Sequence, residues 1–279
     1  MKSGNSSANQ EKISDHALKD LVRARFTKTA EVFGNYAVAQ RVEAAELLLR
    51  MVSAGPDDLA VDLASGPGTL ALRFARYVRW ICALDLTPAI LVRARSTAAQ
   101  EGLLKKLAFA LSDAQALPLA DGSLNIAVTS YSLHHISEPS RVINEMARVI
   151  KPGGRVGLID IVVPEDPVVR ALNHRIEHIR DHSHSRSLTH REFEEMMGAA
   201  GLRIIATEMR EHPRNFDNWM HVAGWKRTDP EYIEARGLMI SSIGGDGANF
   251  HPRFESSDPA GEPELYISNP GLYIAAEKM

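Results

Sequence analysis

The segment at residues 60–70 reads Ala60-Val61-Asp62-Leu63-Ala64-Ser65-Gly66-Pro67-Gly68-Thr69-Leu70. An apolar run leads into a turn with two glycines, and a helical pattern follows the turn. Because glycine has no Cβ, the backbone of such a turn can approach a ligand closely. The N-terminus of the following helix adds free N–H groups and a partial positive charge. The segment therefore predicts a ligand site where a strand meets a helix.

Short apolar runs and helical patterns continue to alternate from this segment to about residue 210. We predict strands at residues 59–63, 80–84, 107–110, 126–130, 155–162 and 202–208, and a closing strand at 271–276. Helices are expected near 69–78, 88–101, 139–150 and 189–200. Strands separated by helices pair in parallel through right-handed crossovers, so the pattern predicts a doubly wound α/β sheet.

The alternating pattern stops on both sides, which divides the chain into segments. Before it, helical patterns end at Ser53-Ala54-Gly55-Pro56, where glycine and proline terminate a helix. After it, apolar runs and helical patterns no longer alternate over residues 214–265, a segment that includes the Gly244-Gly245 pair. We predict an N-terminal helical cap at 1–50, an α/β core at 51–213, a helical and loop cap insertion at 214–265, and a closing strand of the core at 266–279.

The overall composition is that of an ordinary globular protein, and it argues against several classes. The formal net charge of -3 gives no general affinity for nucleic acid or an anionic membrane. The single cysteine, Cys82, excludes an internal disulfide framework and a cysteine-rich zinc site. No run approaches the roughly 18 apolar residues of a membrane span, and the polar N-terminus lacks a signal-peptide core. We therefore expect a cytoplasmic protein with no membrane span and no nucleic-acid partner.

Aspartates stand at three successive predicted strand ends. Asp62 lies inside the first strand, where a carboxylate suits an amino-acid ammonium or an organising water. Asp85 ends the second strand, 17 residues after Gly68, and a carboxylate there can accept both ribose hydroxyl protons. Capping of the next helix, which has Pro88 in its first turn, is the alternative role. Asp113 follows the third strand and can accept the amine of an adenine or hold its own turn.

The glycine turn alone does not separate two classes of enzyme. Gly66-x-Gly68-x-x-Ala71 also satisfies the dinucleotide-binding fingerprint, so an NAD(P)-dependent oxidoreductase is the main alternative. That alternative leaves unexplained Asp113, the block Ser130-Tyr131-Ser132-Leu133-His134-His135 and the element Lys151-Pro152-Gly153-Gly154.

Several further motifs follow the turn in a fixed order. The motif blocks are 62–68, 113–118, 121–124, 130–135 and 151–154. With them the chain resembles the class I S-adenosylmethionine-dependent methyltransferases, most of all the subgroup related to ubiquinone/menaquinone C-methyltransferases. The resemblance is strong over about 58–165 and weak through 180–186. The departures are Ala64 where glycine is commoner, Asn125 where an acid is usual, and His182 where relatives carry proline.

This resemblance implies a Rossmann-like, mostly parallel seven-stranded sheet with an antiparallel last strand. It also implies that the cofactor is S-adenosyl-L-methionine and that a methyl group passes to oxygen, nitrogen or carbon of a small-molecule acceptor. The implied cofactor-binding residues are Ala64, Ser65, Gly66 and Thr69 at the methionine end, Asp85 and Leu86 at the ribose, Asp113 and Ala114 at the adenine, Ser130 beneath the sulfonium, and Tyr36, Asp62 and Gly68.

Histidines raise two further hypotheses. His134 and His135 follow the fourth strand at the ligand-binding edge, and either can act as a general base toward an acceptor hydroxyl or amine. A structural role for the pair is the alternative. His174 and His178 are four residues apart, a helical spacing that can bind zinc, so a non-enzymatic metal or ligand sensor is a further alternative. Because the resemblance places a cofactor-site or lid segment there, we predict no metal site.

The N-terminal helices and the late insertion predict a mobile cap over the crevice, since a reactive sulfonium must be shielded from water. Phe26 and Tyr36 can supply aromatic surface, and Arg23 and Arg25 can meet an anionic group. The expected partner is a small methyl acceptor. The sequence leaves the oligomeric state open, and a homodimer is compatible with it.

Overall fold

The computed structural model describes residues 13–245, 248–256 and 262–279. Its helices are α1 (Asp15–Lys28), α2 (Ala30–Gln40), α3 (Val42–Met51), α4 (Thr69–Phe74), α5 (Pro88–Gln100), α6 (Pro139–Val149), α7 (Pro167–Arg180), α8 (His190–Ala199), α9 (Phe216–Ala223) and α10 (Pro230–Ser241). Its strands are β1 (Leu59–Leu63), β2 (Trp80–Asp85), β3 (Leu107–Leu111), β4 (Leu124–Ser130), β5 (Ile150–Ile161), β6 (Leu202–Asn215), β7 (Arg253–Glu255) and β8 (Glu264–Lys278). Within these residues, no helix is both long and apolar enough to cross a membrane.

One sheet runs in the order β3-β2-β1-β4-β5-β8-β6, and β7 pairs with β8 beside this path. The first five strands of that order pair in parallel, whereas β8 is antiparallel to both β5 and β6. The predicted doubly wound sheet with an antiparallel last strand is therefore confirmed. The three-residue β7 was not predicted, because a strand so short leaves no alternating pattern in the sequence.

Hydrophobic cores lie on both faces of the sheet. Val61 and Leu63 of β1 belong to one core, whereas Ala60 belongs to the other. Side chains alternate between the two faces along a strand, so β1 is covered by helices on each side, as parallel strands require. This double burial explains why β1 reads as a continuous apolar run and why its bounds could be predicted to the residue.

The strand β6 is longer than its apolar pattern predicted. It runs beyond residue 208 to Asn215 and pairs with β8 as far as Tyr266. These extra residues are mostly polar, and together with the facing residues of β8 they form a two-stranded ribbon. The helices α9 and α10 follow β6 in the chain. A third hydrophobic core packs there, formed by Ile176, Phe216, Trp219, Met220, Tyr232, Ala235, Met239, Ala248, Phe250, Leu265 and Ile267.

The helix α3 packs directly on the sheet and does not cover the ligand-binding edge. Leu48 and Val52 are fully buried, and both lie against Gly157 in β5. A side chain at that position would stand between helix and strand. The absence of a Cβ on Gly157 therefore sets how closely α3 approaches the sheet.

Gly157→Ala should lower the free energy of unfolding by about 1–3 kcal/mol, the usual cost of overpacking a core. Its Cβ would lie 2.8 Å from Val52 Cγ1 and 3.1 Å from both Leu48 Cγ and Val128 Cγ1. Urea unfolding measures the change. Gly198→Ala in α8 is the matched control, because nothing lies within 4 Å of its added Cβ and alanine is the better helix former. Equal loss of stability in the two variants would contradict the close packing of α3 on β5.

Candidate active site

The loop from β1 to α4 turns sharply at the edge where the parallel strands end. Ala64, Gly66 and Gly68 have φ angles of 48°, 54° and 81°, in the left-handed region that glycine adopts freely and alanine only with strain. A Cβ on Gly68 would lie 3.2 Å from the Cβ of Ala94, so this glycine also permits close packing against α5. The turn brings the backbone to the crevice at the sheet edge.

The carboxylate of Asp62 supports this turn from behind. Its Oδ2 accepts the N–H of Ala71 at 3.0 Å, and its Oδ1 is buried without a partner in the described part of the chain. Burial raises the pKa of Asp62 well above its usual range. Asp62 is absent from the lining of the cavity at this edge, so the structure places it beneath the loop.

The carboxylate of Asp85 joins two loops. Its Oδ2 accepts the N–H of Gly66 and its Oδ1 accepts the N–H of Thr87, each at 2.8 Å. Burial raises the pKa of Asp85, although the N–H donors oppose that shift. The side chain also lines the cavity. The ribose and capping interpretations are therefore compatible, since Asp85 organises the loop before α5 and faces the crevice.

A cavity, with about 870 Å³ of empty space that includes part of the open solvent, lies at the carboxyl ends of the parallel strands. Open α/β sheets bind their ligands at this position. Of the residues predicted to bind the cofactor, those in its lining are Ala64, Ser65, Gly66, Thr69, Asp85, Leu86, Asp113, Ala114 and Ser130. Asp62 and Gly68 lie outside the lining, and Tyr36 lines a neighbouring cavity. The structure thus brings most of the predicted set together.

The helix α1 covers this larger cavity. Its apolar residues in the lining are Leu18, Val22 and Phe26. Lys19 Nζ lies 2.6 Å from Asp113 Oδ2 and 2.5 Å from Asp15 Oδ2, while Asp113 Oδ1 accepts the N–H of Gln115 at 2.9 Å. Lys19 and Asp15 were not predicted as site residues from the sequence, because a charged pair on one helix is usually a solvated surface feature. Here it fastens α1 to the loop after β3.

Three polar atoms in the lining of this larger cavity are buried without a hydrogen-bond partner among the described residues. They are Ser65 Oγ, Thr69 Oγ1 and Gln115 Oε1. Buried polar groups are nearly always hydrogen-bonded, so these atoms are available to a polar ligand. S-adenosylmethionine carries an ammonium, a carboxylate, ribose hydroxyls and an adenine amine, which offer partners to all three. These three polar atoms therefore fit that cofactor.

A second cavity, of about 570 Å³, lies beside the first. The two cavities share the lining residues Phe26, Phe33, Arg41, Tyr131 and His135. The remaining residues of the second cavity come from α1, α2, α7, α9, β5, β6, β8 and the loops after β4 and α7. Two ligands bound in these cavities would be neighbours.

His134 lines the second cavity and forms a pair with a buried carboxylate. Its Nδ1 lies 2.5 Å from Asp160 Oδ1, and Asp160 also accepts the N–H groups of Leu133 and Ile161 at 2.8 Å. Burial favours the neutral acid, but His134 and these donors outweigh it and lower the pKa of Asp160. Asp160 therefore stays ionised and holds the His134 ring with Nδ1 as the donor. The sequence signal that could have revealed Asp160 is that it is the single acid inside the apolar run 156–163.

His135 lines both cavities but has a different environment. Its Nδ1–H donates to the backbone oxygen of Ser183 at 2.9 Å. Burial, and then the neighbouring His134, lower the pKa of His135 to about 4. At neutral pH this ring is uncharged and a very weak base. The two adjacent histidines thus differ in their hydrogen-bond partners and in the cavities that they reach.

The histidines of α7 and of the loop after it lie close to one another. The ring centres of His174 and His178 are 6.1 Å apart, and those of His178 and His182 are 5.5 Å apart. Among residues 13–245, 248–256 and 262–279, no group of three or more His, Cys, Asp or Glu side chains is arranged to hold a metal ion.

A family model described as a methyltransferase domain matches residues 61–158. The chain is 30% identical over 199 residues to the uncharacterized methyltransferase YcgJ of Bacillus subtilis, and the match covers 71% of this chain and 78% of that relative. The crystal structure of YcgJ superimposes with a TM-score of 0.75 and 25% identity, over 85% of this chain and 98% of its own.

Two further matches concern enzymes with named substrates. The ubiquinone/menaquinone biosynthesis C-methyltransferase UbiE of Roseobacter denitrificans is 30% identical over 112 residues, which are 39% of this chain and 45% of that protein. Geranyl diphosphate C-methyltransferase of Streptomyces coelicolor, solved with Mg²⁺, geranyl diphosphate and S-adenosyl-L-homocysteine, has a TM-score of 0.56 and 16% identity, over 85% of this chain and 78% of its own. At that identity the likeness concerns the fold alone.

The relationship to YcgJ extends over most of both chains, and it favours methyl transfer over the nicotinamide chemistry that the glycine turn left open. The motifs, the sheet order and the crevice at the strand ends agree with it. The chain belongs to the S-adenosylmethionine-dependent methyltransferase family.

Proposed function

We propose that the larger cavity binds S-adenosyl-L-methionine and that its methyl group passes to a small acceptor held in the second cavity. The observation that carries this proposal is the contact between the two cavities, which share five lining residues. Methyl transfer needs little beyond alignment of donor and acceptor and exclusion of water, and alignment alone can contribute about 7–11 kcal/mol. Adjacent, partly enclosed cavities meet both needs.

The residues of the larger cavity suit the parts of this cofactor. Ser65 and Thr69 offer unpaired hydroxyls beside the turn, for the methionine portion. A carboxylate has about four acceptor positions, and Asp85 uses two of them on backbone N–H groups. The remaining two are available to ribose hydroxyls. Phe26 and Phe33 give aromatic surface of the kind that attracts a cation.

S-adenosyl-L-methionine supplies a methyl group attached to a positively charged sulfur. We assign to His134 the removal of a proton from an acceptor hydroxyl or amine, at Nε2. Asp160 holds the opposite nitrogen and stabilises the imidazolium that forms, as in other aspartate–histidine pairs. His135 is too weak a base for this task at neutral pH, so it positions ligands where the cavities meet. The helix α1 covers the cofactor cavity and excludes water from it.

Other features of the protein stay predictions from the sequence. They are the cytoplasmic location, the lack of a nucleic-acid partner and the homodimer. The proposed reaction depends on none of them, because α1, α2 and the strand ends of one chain line both cavities.

Ser65→Ala and Thr69→Val should each weaken S-adenosylhomocysteine binding by about 2- to 10-fold, because each removes one neutral hydrogen bond worth about 0.5–1.5 kcal/mol. Isothermal titration calorimetry measures the affinity. The melting temperature without ligand should stay close to that of the wild type, because neither hydroxyl has a partner in the described chain.

Thr97→Val is the matched control for these two variants. Its hydroxyl bonds the backbone oxygen of Arg93 at 3.3 Å, and it lines neither cavity. Its affinity for S-adenosylhomocysteine should equal that of the wild type. Wild-type affinity in both cavity variants as well would contradict the assignment of the larger cavity to the cofactor.

His134→Gln should lower kcat by about 100- to 10,000-fold, the usual contribution of a general base. Asp160→Asn should also lower kcat, because an amide no longer fixes the ring with Nδ1 as donor. A labelled methyl donor and a panel of phenols, quinones and amines provide the assay. His190→Gln, at a half-buried position of α8 that lines neither cavity, is the control and should keep full activity.

Binding of S-adenosylhomocysteine should survive both changes, since His134 and Asp160 do not line the larger cavity. A His134→Gln variant with wild-type kcat would rule out His134 as the base. Catalysis would then rest on alignment alone.

A further inference from the structure

The second cavity contains more positive than negative side chains. Its charged lining residues, histidines aside, are Arg25, Arg41, Arg180, Arg214, Glu177 and Asp181. Four guanidinium groups therefore face two carboxylates. A charge buried without a counterion is costly, so the partners of each arginine decide whether this excess is neutralised inside the protein.

Two of the four arginines have carboxylate partners. Arg25 Nε lies 3.1 Å from Asp181 Oδ2, and Arg180 Nη1 lies 3.7 Å from Glu177 Oε2. Arg25 also donates to the backbone oxygen of Val222 at 3.3 Å. These contacts connect α1, α7 and α9, so Arg25 and Arg180 are accounted for by the fold. Arg25 is therefore a poor candidate for the anion-binding role that its place in the sequence suggested.

The other two, Arg41 and Arg214, have no carboxylate within ion-pair distance in the described part of the chain, although Asp160 and Glu177 attract their charges from further away. Arg214 donates only to neutral oxygens, those of the Asn269 side chain and the His212 backbone. Arg214 lines the second cavity alone, whereas Arg41 stands where the two cavities meet. Burial lowers the pKa of Arg41, and Arg214 adds to that shift by repulsion. The two guanidinium groups thus face a shared space.

The surroundings of Arg41 leave its edge free to bind a ligand. Its Cζ lies 4.2 Å from the ring centre of Tyr131 and 5.4 Å from that of Phe33. Aromatic rings of this kind hold the plane of a guanidinium while its N–H groups remain available. A planar fork of donors matches a carboxylate or a phosphate with two parallel hydrogen bonds.

We propose that Arg214 and Arg41 bind an anionic group of the methyl acceptor, a carboxylate or a phosphate, and so select acceptors that carry one. This inference rests on the proposed function, because it takes the second cavity to be the acceptor site. The anion supplies the missing counterion and fixes the acceptor within reach of His134, which lines the same cavity. A neutral acceptor of the same shape would leave both charges unpaired.

The test is calorimetric titration of the enzyme saturated with S-adenosylhomocysteine. The probes are 4-hydroxybenzoate, phenyl phosphate and the neutral 4-hydroxybenzamide. Either anion should bind at least 10-fold more tightly than the amide, and the tighter of the two tells whether the group is a carboxylate or a phosphate. Arg214→Gln and Arg41→Gln should each lower the affinity for the tighter-binding anion by about 10- to 100-fold, the loss expected for charged hydrogen bonds. The affinity for the amide should not change.

Two further variants serve as controls. Arg41→Lys keeps the charge but loses the fork and should retain part of the affinity, even if the glutamine variant folds poorly. Arg191→Gln removes an exposed arginine of α8 that pairs with Glu195 and should bind every probe as the wild type does. Melting temperatures check that each variant is folded.

Three outcomes would overturn the inference: equal binding of the anions and the amide, no anion binding below about 10 mM, or anion binding that Arg214→Gln and Arg41→Gln leave intact. If Arg41→Gln weakens the binding of S-adenosylhomocysteine but not that of the anion, then Arg41 contacts the cofactor. The proposed anion site of two arginines is then wrong. The same titrations report the cofactor affinity of the wild type. Failure to bind S-adenosylhomocysteine would count against the proposed function, whereas normal cofactor binding without anion preference would count against this inference alone.

Discussion

The Asp85 carboxylate accepts one N–H from the loop after β1 and one from the loop after β2. It thereby fixes two neighbouring strand ends relative to each other, at the floor of the cofactor cavity. Burial disfavours its charge and raises its pKa, so the two short hydrogen bonds offset a real desolvation cost. Ser65 belongs to the first of these loops, and Thr69 is the first residue of α4, which follows that loop. The position of the loop between them depends on this side chain, which holds Gly66.

Three aspartates stand at successive strand ends, yet their surroundings give them different tasks. Asp62 supports the first turn of α4 from behind, Asp85 joins two loops, and Asp113 forms an ion pair with Lys19 of α1. The sequence predicts where they lie, because strand ends follow from apolar runs and turns. It does not predict which of them faces the cavity. That difference depends on helix α1 and on side-chain direction, which one strand's pattern does not contain.

The core and the cofactor cavity were largely predictable because their signals are local: a buried strand, a glycine turn and an acid at a strand end. The second cavity was not. Arg41 lies between α2 and α3, Arg214 lies in the polar half of β6, and only the ribbon of β6 and β8 brings them together. Polar strand residues carry no apolar pattern, so the ribbon itself was missed. Asp160 was partly predictable. A single acid within an apolar strand indicates that the carboxylate has a buried partner, but the sequence does not tell which residue that partner is.

The helix α1 is attached at both ends to charged residues of different cavities. Near its start Lys19 pairs with Asp113 beside the cofactor cavity, and near its end Arg25 pairs with Asp181 in the second cavity. Exposed ion pairs contribute little, but Asp181 and Arg25 are largely buried, so breaking that pair would leave a charge without a partner. Opening α1 must therefore disturb both cavities at once. Under the proposed function, one helix would then couple the enclosure of the donor to the shape of the acceptor site, a coupling expected of an enzyme that must hold two ligands in line before it reacts.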